Sequence, residues 1–264
     1  MSLSLQNILI SGEITNKSLI QYRRSLNERI SQIAPFLILD KDPYIVADKE
    51  NLIWIQDAYT ISGYFPYSER YGPINYIRNS IKVVVDAYNG EIDYYVTDLS
   101  DPLMSTYTRI FPNQFKNIED MPEDLKKHIR YPSDLFEIQS KIYSTYHMED
   151  ISVYYNKEDA WQIPNEVYGV GQQIKMEPYY MIMKLPEEEQ EEFILITPFT
   201  PIRKDNMVAW MVARSDGDNY GKLILYKFPK DKLIYGPSQI EAKFDQDSEI
   251  SQQLTLWSQQ GSRI

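Results

Sequence analysis

The stretch Val83-Val84-Val85-Asp86-Ala87-Tyr88-Asn89-Gly90-Glu91-Ile92-Asp93-Tyr94-Tyr95-Val96 constrains this chain more than any other. β-Branched and aromatic residues flank Asn-Gly, the dipeptide that suits a two-residue hairpin loop because both its positions need positive φ. With Asn89-Gly90 as that loop, Tyr88 faces Glu91, Asp86 faces Asp93 and Val84 faces Tyr95. The other face collects Ile81, Val83, Val85, Ala87, Ile92, Tyr94 and Val96 and is expected to be core. Loops this short join only antiparallel neighbours, so the fold must contain an antiparallel sheet.

The same register sets carboxylates against each other. Asp86 stands opposite Asp93, with Glu91 diagonal to Asp86 on one face. Like charges so placed are destabilising unless a cation, an arginine or open water relieves them. Asp86, Glu91 and Asp93 are therefore candidate ligands for a hard cation such as calcium. A solvated face flanked by Lys82 is the plainer account, and a rise in melting temperature for Asp86→Asn without calcium dependence would leave it alone.

Around this hairpin the pattern is mixed. Leu19, Tyr22, Leu26, Ile30 and Ile33 recur at helical steps before Pro35, predicting a helix over 16–33. Strands are expected at 36–39, 44–46 and 51–59, and a short helix from Gly72-Pro73 through Ser80. Helices follow at Asp101-Pro102 (apolar side Leu103, Tyr107, Ile110, Phe111), Asp120-Met121-Pro122-Glu123 and Ser133-Asp134 (stripe Leu135, Ile138, Ile142, Tyr146). From about residue 175 strands return at 179–185, 193–198, 207–214, 222–228 and 233–244, with a last helix capped by Asp245 or Asp247. Helices clustered between antiparallel segments give an α+β fold. The expectation is one domain over 1–264, with lobes 1–165 and 175–264 about a linker near 164–176.

A net charge of −11 argues against nucleic acid and against anionic lipid surfaces. Without cysteine, disulfides, thiolate catalysis and thiolate metal sites are excluded. No apolar run reaches membrane-span length; the longest, Met207 to Ala213, suits a buried strand. The acidic run Glu187-Glu188-Glu189-Gln190-Glu191-Glu192 reads as a solvated connection between strands. The amino-terminal residues resemble neither a signal peptide nor a native start, and the chain is expected to be a piece of a longer protein.

Reactive motifs are scarce. The two histidines, His128 and His147, have no metal-ligand spacing and each falls at a helix end, where positive charge meets the carbonyl dipole. No Gly-x-Ser-x-Gly elbow accompanies them. Gly169-Val170-Gly171 lacks the third glycine of a phosphate loop, and Asp216-Gly217-Asp218-Asn219-Tyr220-Gly221 places Tyr220 where a calcium ligand belongs, so it reads as a hairpin turn. No cofactor is indicated. Tyrosine is abundant, at 22 residues. Tyr59, Tyr64, Tyr67 and Tyr71, spaced by Pro and Gly, are candidate ligand-binding residues for a sugar or peptide; locking their own loop over a sheet edge is the preferred alternative.

Asp57-Ala58-Tyr59-Thr60 with Tyr64 and Pro66-Tyr67-Ser68, Asn75-Tyr76-Ile77-Arg78-Asn79-Ser80, Asp86-Ala87-Tyr88-Asn89-Gly90, His128-Ile129-Arg130-Tyr131-Pro132, Tyr146-His147-Met148 and Leu256-Trp257 together resemble the UPF0182 family of large bacterial membrane proteins of uncharacterised function. The similarity runs in order from about residue 22 to the end. It implies amino-terminal membrane-spanning helices elsewhere in the protein and a soluble region, this chain, on the extracytoplasmic side of the cell membrane. It carries over no catalytic residue, cofactor or ligand. The expected function is a non-catalytic binding or scaffolding domain at the envelope, its partners being the membrane-embedded portion of its own parent protein and an envelope protein or glycan. The alternatives are a carboxylate-dependent envelope hydrolase, which needs two carboxylates facing one cleft, and a calcium-dependent structural module.

Overall fold

The computed structural model describes residues 10, 12, 14–18, 23–48, 51–168, 172–186 and 188–259. The chain divides into two compact units, 1–37 and 38–264. In the first, helix α1 (Leu26–Ile33) follows an extended Ser25, and the Ala34 N–H closes its last turn on the Ile30 carbonyl just before Pro35. It is shorter than the periodicity predicts. Asn16 and Lys17 lie in a turn where the Thr15 N–H donates to Ser18 Oγ (2.9 Å), and Arg23 has a positive φ of 55°, which no helix accommodates. Leu19 and Tyr22 lie outside the described residues.

The second unit holds three sheets among its described residues. Strand β3 (Asn51–Ser62) is flanked on one edge by β1 (Ile38–Leu39) and β2 (Tyr44–Asp48) and on the other by β4 (Tyr76–Asp86). β5 (Ile92–Val96) pairs antiparallel with β4, and β6 (Phe115–Asn117) adds to β5 in parallel. In the second sheet β10 (Tyr179–Lys184), β11 (Glu191–Pro201), β12 (Ala209–Arg214) and β13 (Leu223–Lys227) form an antiparallel meander, with β7 (Trp161–Gln162) on the far end of β11. β8 (Asn165–Tyr168) and β9 (Gln172–Lys175) make a separate hairpin over the expected linker. Helix α2 (Pro102–Ile110) lies between β5 and β6; α3 (Glu123–Lys126), α4 (Ser133–Tyr146) and α5 (Ile151–Asn156) fall between the two larger sheets in sequence, and α6 (Pro237–Gln246) and α7 (Ser248–Gln259) close the described chain. The fold is α+β, as the sequence predicts.

The central residues of β3 and β4 are buried on both faces. Ile55, Asp57 and Tyr59 point one way and Gln56, Ala58 and Thr60 the other, and all six are covered. That explains the consecutive Val83-Val84-Val85 of β4: a sheet packed on both sides has no need of alternation. One face carries the cluster of Val46, Ile55, Val84, Tyr95, Met121 and Leu125. The meander has its own core, in which Phe199, Leu195 and Met211 meet Phe136 of α4 and Trp161 of β7.

Several local expectations are corrected. Val84, not Asp86, stands opposite Asp93, and Lys82 stands opposite Tyr95. The loop is longer than Asn-Gly alone, since Asp86 N–H donates to the Glu91 carbonyl (3.0 Å) and Gly90 N–H to the Asp86 carbonyl (2.9 Å). The Asp86 carboxylate accepts from the N–H groups of Tyr88 (2.7 Å) and Asn89 (2.9 Å), an Asx turn that favours the four-residue loop. Of that loop only Gly90 has positive φ, 73°. A shift of two positions preserves the faces, so Ile81, Val83, Val85, Tyr94 and Val96 are buried as expected; Ala87 is exposed in the loop.

Residues 76–80 are strand where a helix is expected: Tyr71 and Ile74 close a tight turn on each other, and β-formers follow. The expected strand 233–244 is helix α6 from Pro237, because Pro at the first helical position and Gln239, whose Oε1 accepts the Gly236 N–H (3.1 Å), form a helix start. α2 buries Met104 and leaves Ile110 and Phe111 exposed, so its inner face is rotated from the expected stripe. α3 is entered from Pro122, because the Asp120 carboxylate instead accepts the Asn117 N–H (3.2 Å). Along α4 the buried residues are Ser133, Phe136, Ile138 and Ser140, and Tyr146 is exposed. The 216–221 turn joins β12 to β13, and Asp247 caps α7 by accepting from the N–H groups of Glu249 and Ile250.

Candidate functional site

The chemistry-bearing side chains fall into two groups, a sealed interior network and an open tip. Within the sheet, Asp57 of β3 pairs directly across from Lys82 of β4. The Lys82 side chain has 0% exposure; its ammonium donates to the Asp57 carboxylate and to the Arg130 carbonyl (3.2 Å), and lies 5.4 Å from the Tyr220 ring centroid. Burial works to lower the Lys82 pKa, but the charge of Asp57 outweighs it and holds the ammonium protonated. Asn79 Nδ2 donates to the same carboxylate (3.0 Å). Next along β3, the Tyr59 hydroxyl donates to Asp40, which also accepts the Asp134 N–H (2.9 Å) at the start of α4. Burial raises the Tyr59 pKa, so this hydroxyl stays neutral.

Arg130, between α3 and α4, lies close to two tyrosine rings. Its guanidinium carbon lies 3.9 Å from the Tyr44 ring and 4.3 Å from the Tyr180 ring, and its Nη2 donates to Asp42 (2.7 Å). Tyr180 in turn donates its hydroxyl to the Tyr131 carbonyl (2.6 Å), and the Tyr131 N–H reaches Ser215 Oγ (3.1 Å). Asp101, the cap of α2, accepts from Ser80 (2.6 Å), Thr60, Tyr76 (2.7 Å) and the Leu103 N–H (3.0 Å). Part of the acidic run is also internal: buried Glu192 is held by Arg214, which reaches Glu188 as well (2.7 Å), and its hydrogen bond from Arg214 keeps the Glu192 pKa below the usual range. These contacts hold strands and helices together; Asp42 and Glu188 at the margin of the network stay partly exposed, and the buried Arg130 Nε has no hydrogen-bond partner.

The open group lies where β3 and β4 run out into the loop 63–75. Asn75 locks that loop, its Oδ1 accepting the Phe65 N–H (2.9 Å) and its Nδ2 donating to the Phe65 carbonyl (2.6 Å). The Phe65 ring stacks on Tyr76 with centroids 5.3 Å apart. Here lies a groove of about 300 Å³, lined by the aromatic residues Phe65, Tyr71 and Tyr76, by Ser68, Glu69, Asn75 and Arg78, and by Ile138 and Ile142 of α4. Arg78 is paired with Asp98 (2.9 Å). The Lys141 ammonium lies 4.8 Å from the Tyr71 ring centroid. The Tyr76 pKa is pushed up to about 12 by burial and by its bond to Asp101, so its hydroxyl is uncharged at neutral pH. Outside the groove Tyr64 is 93% exposed and Tyr67, at a positive φ of 59°, is fully exposed.

The structure therefore disperses the four predicted tyrosines. Tyr59 is in the interior network, Tyr71 lines the groove, and Tyr64 and Tyr67 stand in water at the tip. Nor do the predicted carboxylates converge: Asp86 caps its own turn, and Asp93 pairs with Lys116 (2.7 Å) across the β5–β6 edge. Among the described residues no group of three or more His, Cys, Asp or Glu could hold a metal ion. His147 caps the end of α4 and stacks on Trp161 at 3.6 Å. Asp57, Tyr76 and Arg78 lie in the stretches that carry the family resemblance but, like Phe65, were not read from sequence as site residues; Lys82, expected beside a solvated face, is instead fully buried against Asp57. A signal for the pair existed, since a charged residue inside each of two apolar strand runs must find a partner once both faces are covered.

Comparison with known proteins places the chain. It matches the uncharacterised protein family UPF0182 over residues 1–257. It is 56% identical over 264 residues to a UPF0182 protein of Pelotomaculum thermopropionicum, covering 100% of this chain and 29% of that one. The UPF0182 protein of Trichodesmium erythraeum is 53% identical over 282 residues (99% and 31%), and that of Methanospirillum hungatei is 53% identical over 264 residues (97% and 29%). The chain thus spans less than a third of the length of these relatives. No solved structure matches. No helix among the described residues is long and apolar enough to cross a membrane. The chain belongs to the uncharacterised protein family UPF0182.

Proposed function

We propose that this domain works by binding rather than by chemistry, as one module of a larger envelope protein on the extracytoplasmic side of the cell membrane. Its recognition surface is the β3–β4 tip with the groove behind it, and its ligand is a neutral glycan segment. The observation that carries this reading is the locked tip: a loop fixed by the two Asn75–Phe65 hydrogen bonds holds aromatic rings around an open groove. Rings backed by amide, carboxylate and guanidinium groups suit a sugar, whose C–H faces stack while its hydroxyls bond to the polar groups. The short share of the relatives' length supports a module within a larger protein. A hydrolase would need a pair of carboxylates in the cleft; the groove has Glu69 as its one lining carboxylate.

The test is an amide-shift titration with chito-tetraose. Shifts confined to 63–78 and 138–142, with a dissociation constant of about 1 mM and loss of binding in Tyr71→Ala, are expected. If a peptide but not the saccharide perturbs the same residues, the binding reading stands and the glycan does not. Absence of any response there to either probe contradicts the proposal.

A further inference from the structure

The last two helices present apolar surface to water. On α6, Ile240 and Phe244 stand four residues apart; on α7, Ile250, Leu254 and Trp257 recur at helical spacing. Phe244, Leu256 and Trp257 are 49%, 52% and 46% exposed, and Ile240 and Ile250 are exposed as well. Helices of 10 and 12 residues are marginal on their own and draw most of their stability from packing an apolar face.

The start of α6 is firmly seated. Ser238 Oγ donates to the Asn165 carbonyl (2.9 Å), and Met207 N–H to the Ile234 carbonyl (3.0 Å). A Cβ on Gly236 would lie 1.9 Å from the Asp205 carbonyl oxygen, so only glycine allows this approach. An anchored helix pair whose apolar side chains stay in water is a surface waiting for a partner.

We propose that the α6–α7 face is covered by the remainder of the family's long chain. The matched relatives carry more than two thirds of their length outside the region this chain spans, which supplies an always-present partner at high effective concentration. Charge argues against a lipid surface: α6 and the start of α7 carry Glu241, Asp245, Asp247 and Glu249 against Lys243 alone.

The experiment uses the full-length Pelotomaculum relative with this chain in place of its own matching segment, beside this chain alone. Cysteines placed by Phe244→Cys and Trp257→Cys are labelled with a thiol reagent, any native cysteine of the relative having been replaced by serine, with Lys230→Cys, 96% exposed, as reference. Labelling at 244 and 257 is expected to be at least tenfold slower in the full-length protein, and unchanged at 230. Equal rates in both proteins overturn the proposal. So does protection in the isolated chain that rises with its concentration, which means self-association, or protection that appears only with lipid vesicles. Should the chimera not fold, amide exchange over 237–257 in this chain is compared with the matching segment of the unmodified relative; protection no greater in the long protein is equally fatal.

Discussion

At the scale of single residues, the interior is held by charges that have left water entirely. Lys82 and Asp57 cannot be lost singly without stranding the other. Lys82→Met or Asp57→Leu alone is expected to lower stability by about 3–5 kcal/mol, whereas the double variant recovers most of that loss, because the desolvation penalty disappears with both charges. Urea denaturation of the three variants checks this, and additive losses would show that the pair does not act as a unit. Asp101 gives a pH signature. Burial pushes its pKa up, but hydrogen bonds from Ser80, Thr60, Tyr76 and the Leu103 N–H outweigh burial and hold it below the ordinary value of 3.8. A group whose folded pKa is lowered stabilises above the unfolded value and loses that contribution as pH falls through the folded one. Asp101→Asn is therefore expected to be less stable at neutral pH by about 2 kcal/mol, with a shallower fall in urea midpoint between roughly pH 5 and 2.

At the scale of elements, the β4–β5 hairpin shows what the sequence made legible and what it hid. Val83, Val85, Tyr94 and Val96 announce two paired strands and their inner face correctly. The register escaped by two positions, because the Asp86 carboxylate bonds the Tyr88 and Asn89 N–H groups and so stabilises a longer loop than Asn-Gly implies. Asp86→Asn keeps an acceptor and is expected to be nearly neutral, while Asp86→Ala loses about 1 kcal/mol. Gly90→Ala, at a φ of 73°, loses a further 1 kcal/mol or so. Thermal melts with and without chelator measure all three, and a calcium-dependent melt would restore the cation hypothesis for Asp86, Glu91 and Asp93. The 233–244 segment misled for a related reason: its apolar residues fit either period, and the Gly236-Pro237 start signal decides for helix.

At the scale of the whole second unit, the strap Arg130-Tyr131 joins elements distant in sequence, lying close to the rings of Tyr44 of β2 and Tyr180 of β10 and bonding Ser215 beyond β12. No local pattern could reveal that, since its partners are brought together only by the folded topology; the resemblance that includes Arg130 and Tyr131 marks the residues without giving their role. Arg130→Ala is expected to destabilise the protein by about 2–4 kcal/mol in a single cooperative transition, and Arg130→Lys to recover less than half, because a compact ammonium does not replace a planar guanidinium close to two rings. Two separated transitions in Arg130→Ala would show instead that the strap is what couples the sheets.

The tip was legible as composition, in Tyr64, Tyr67 and Tyr71, but its groove was not, because Ile138 and Ile142 reach it from α4. The claim that this surface binds and does not transform its ligand is tested most directly by following chito-tetraose and the isotope-labelled protein together by NMR over a day. The account predicts shifts at residues 63–78 while the saccharide signals stay unchanged. Growth of new reducing-end signals, absent from a protein-free control, would contradict it.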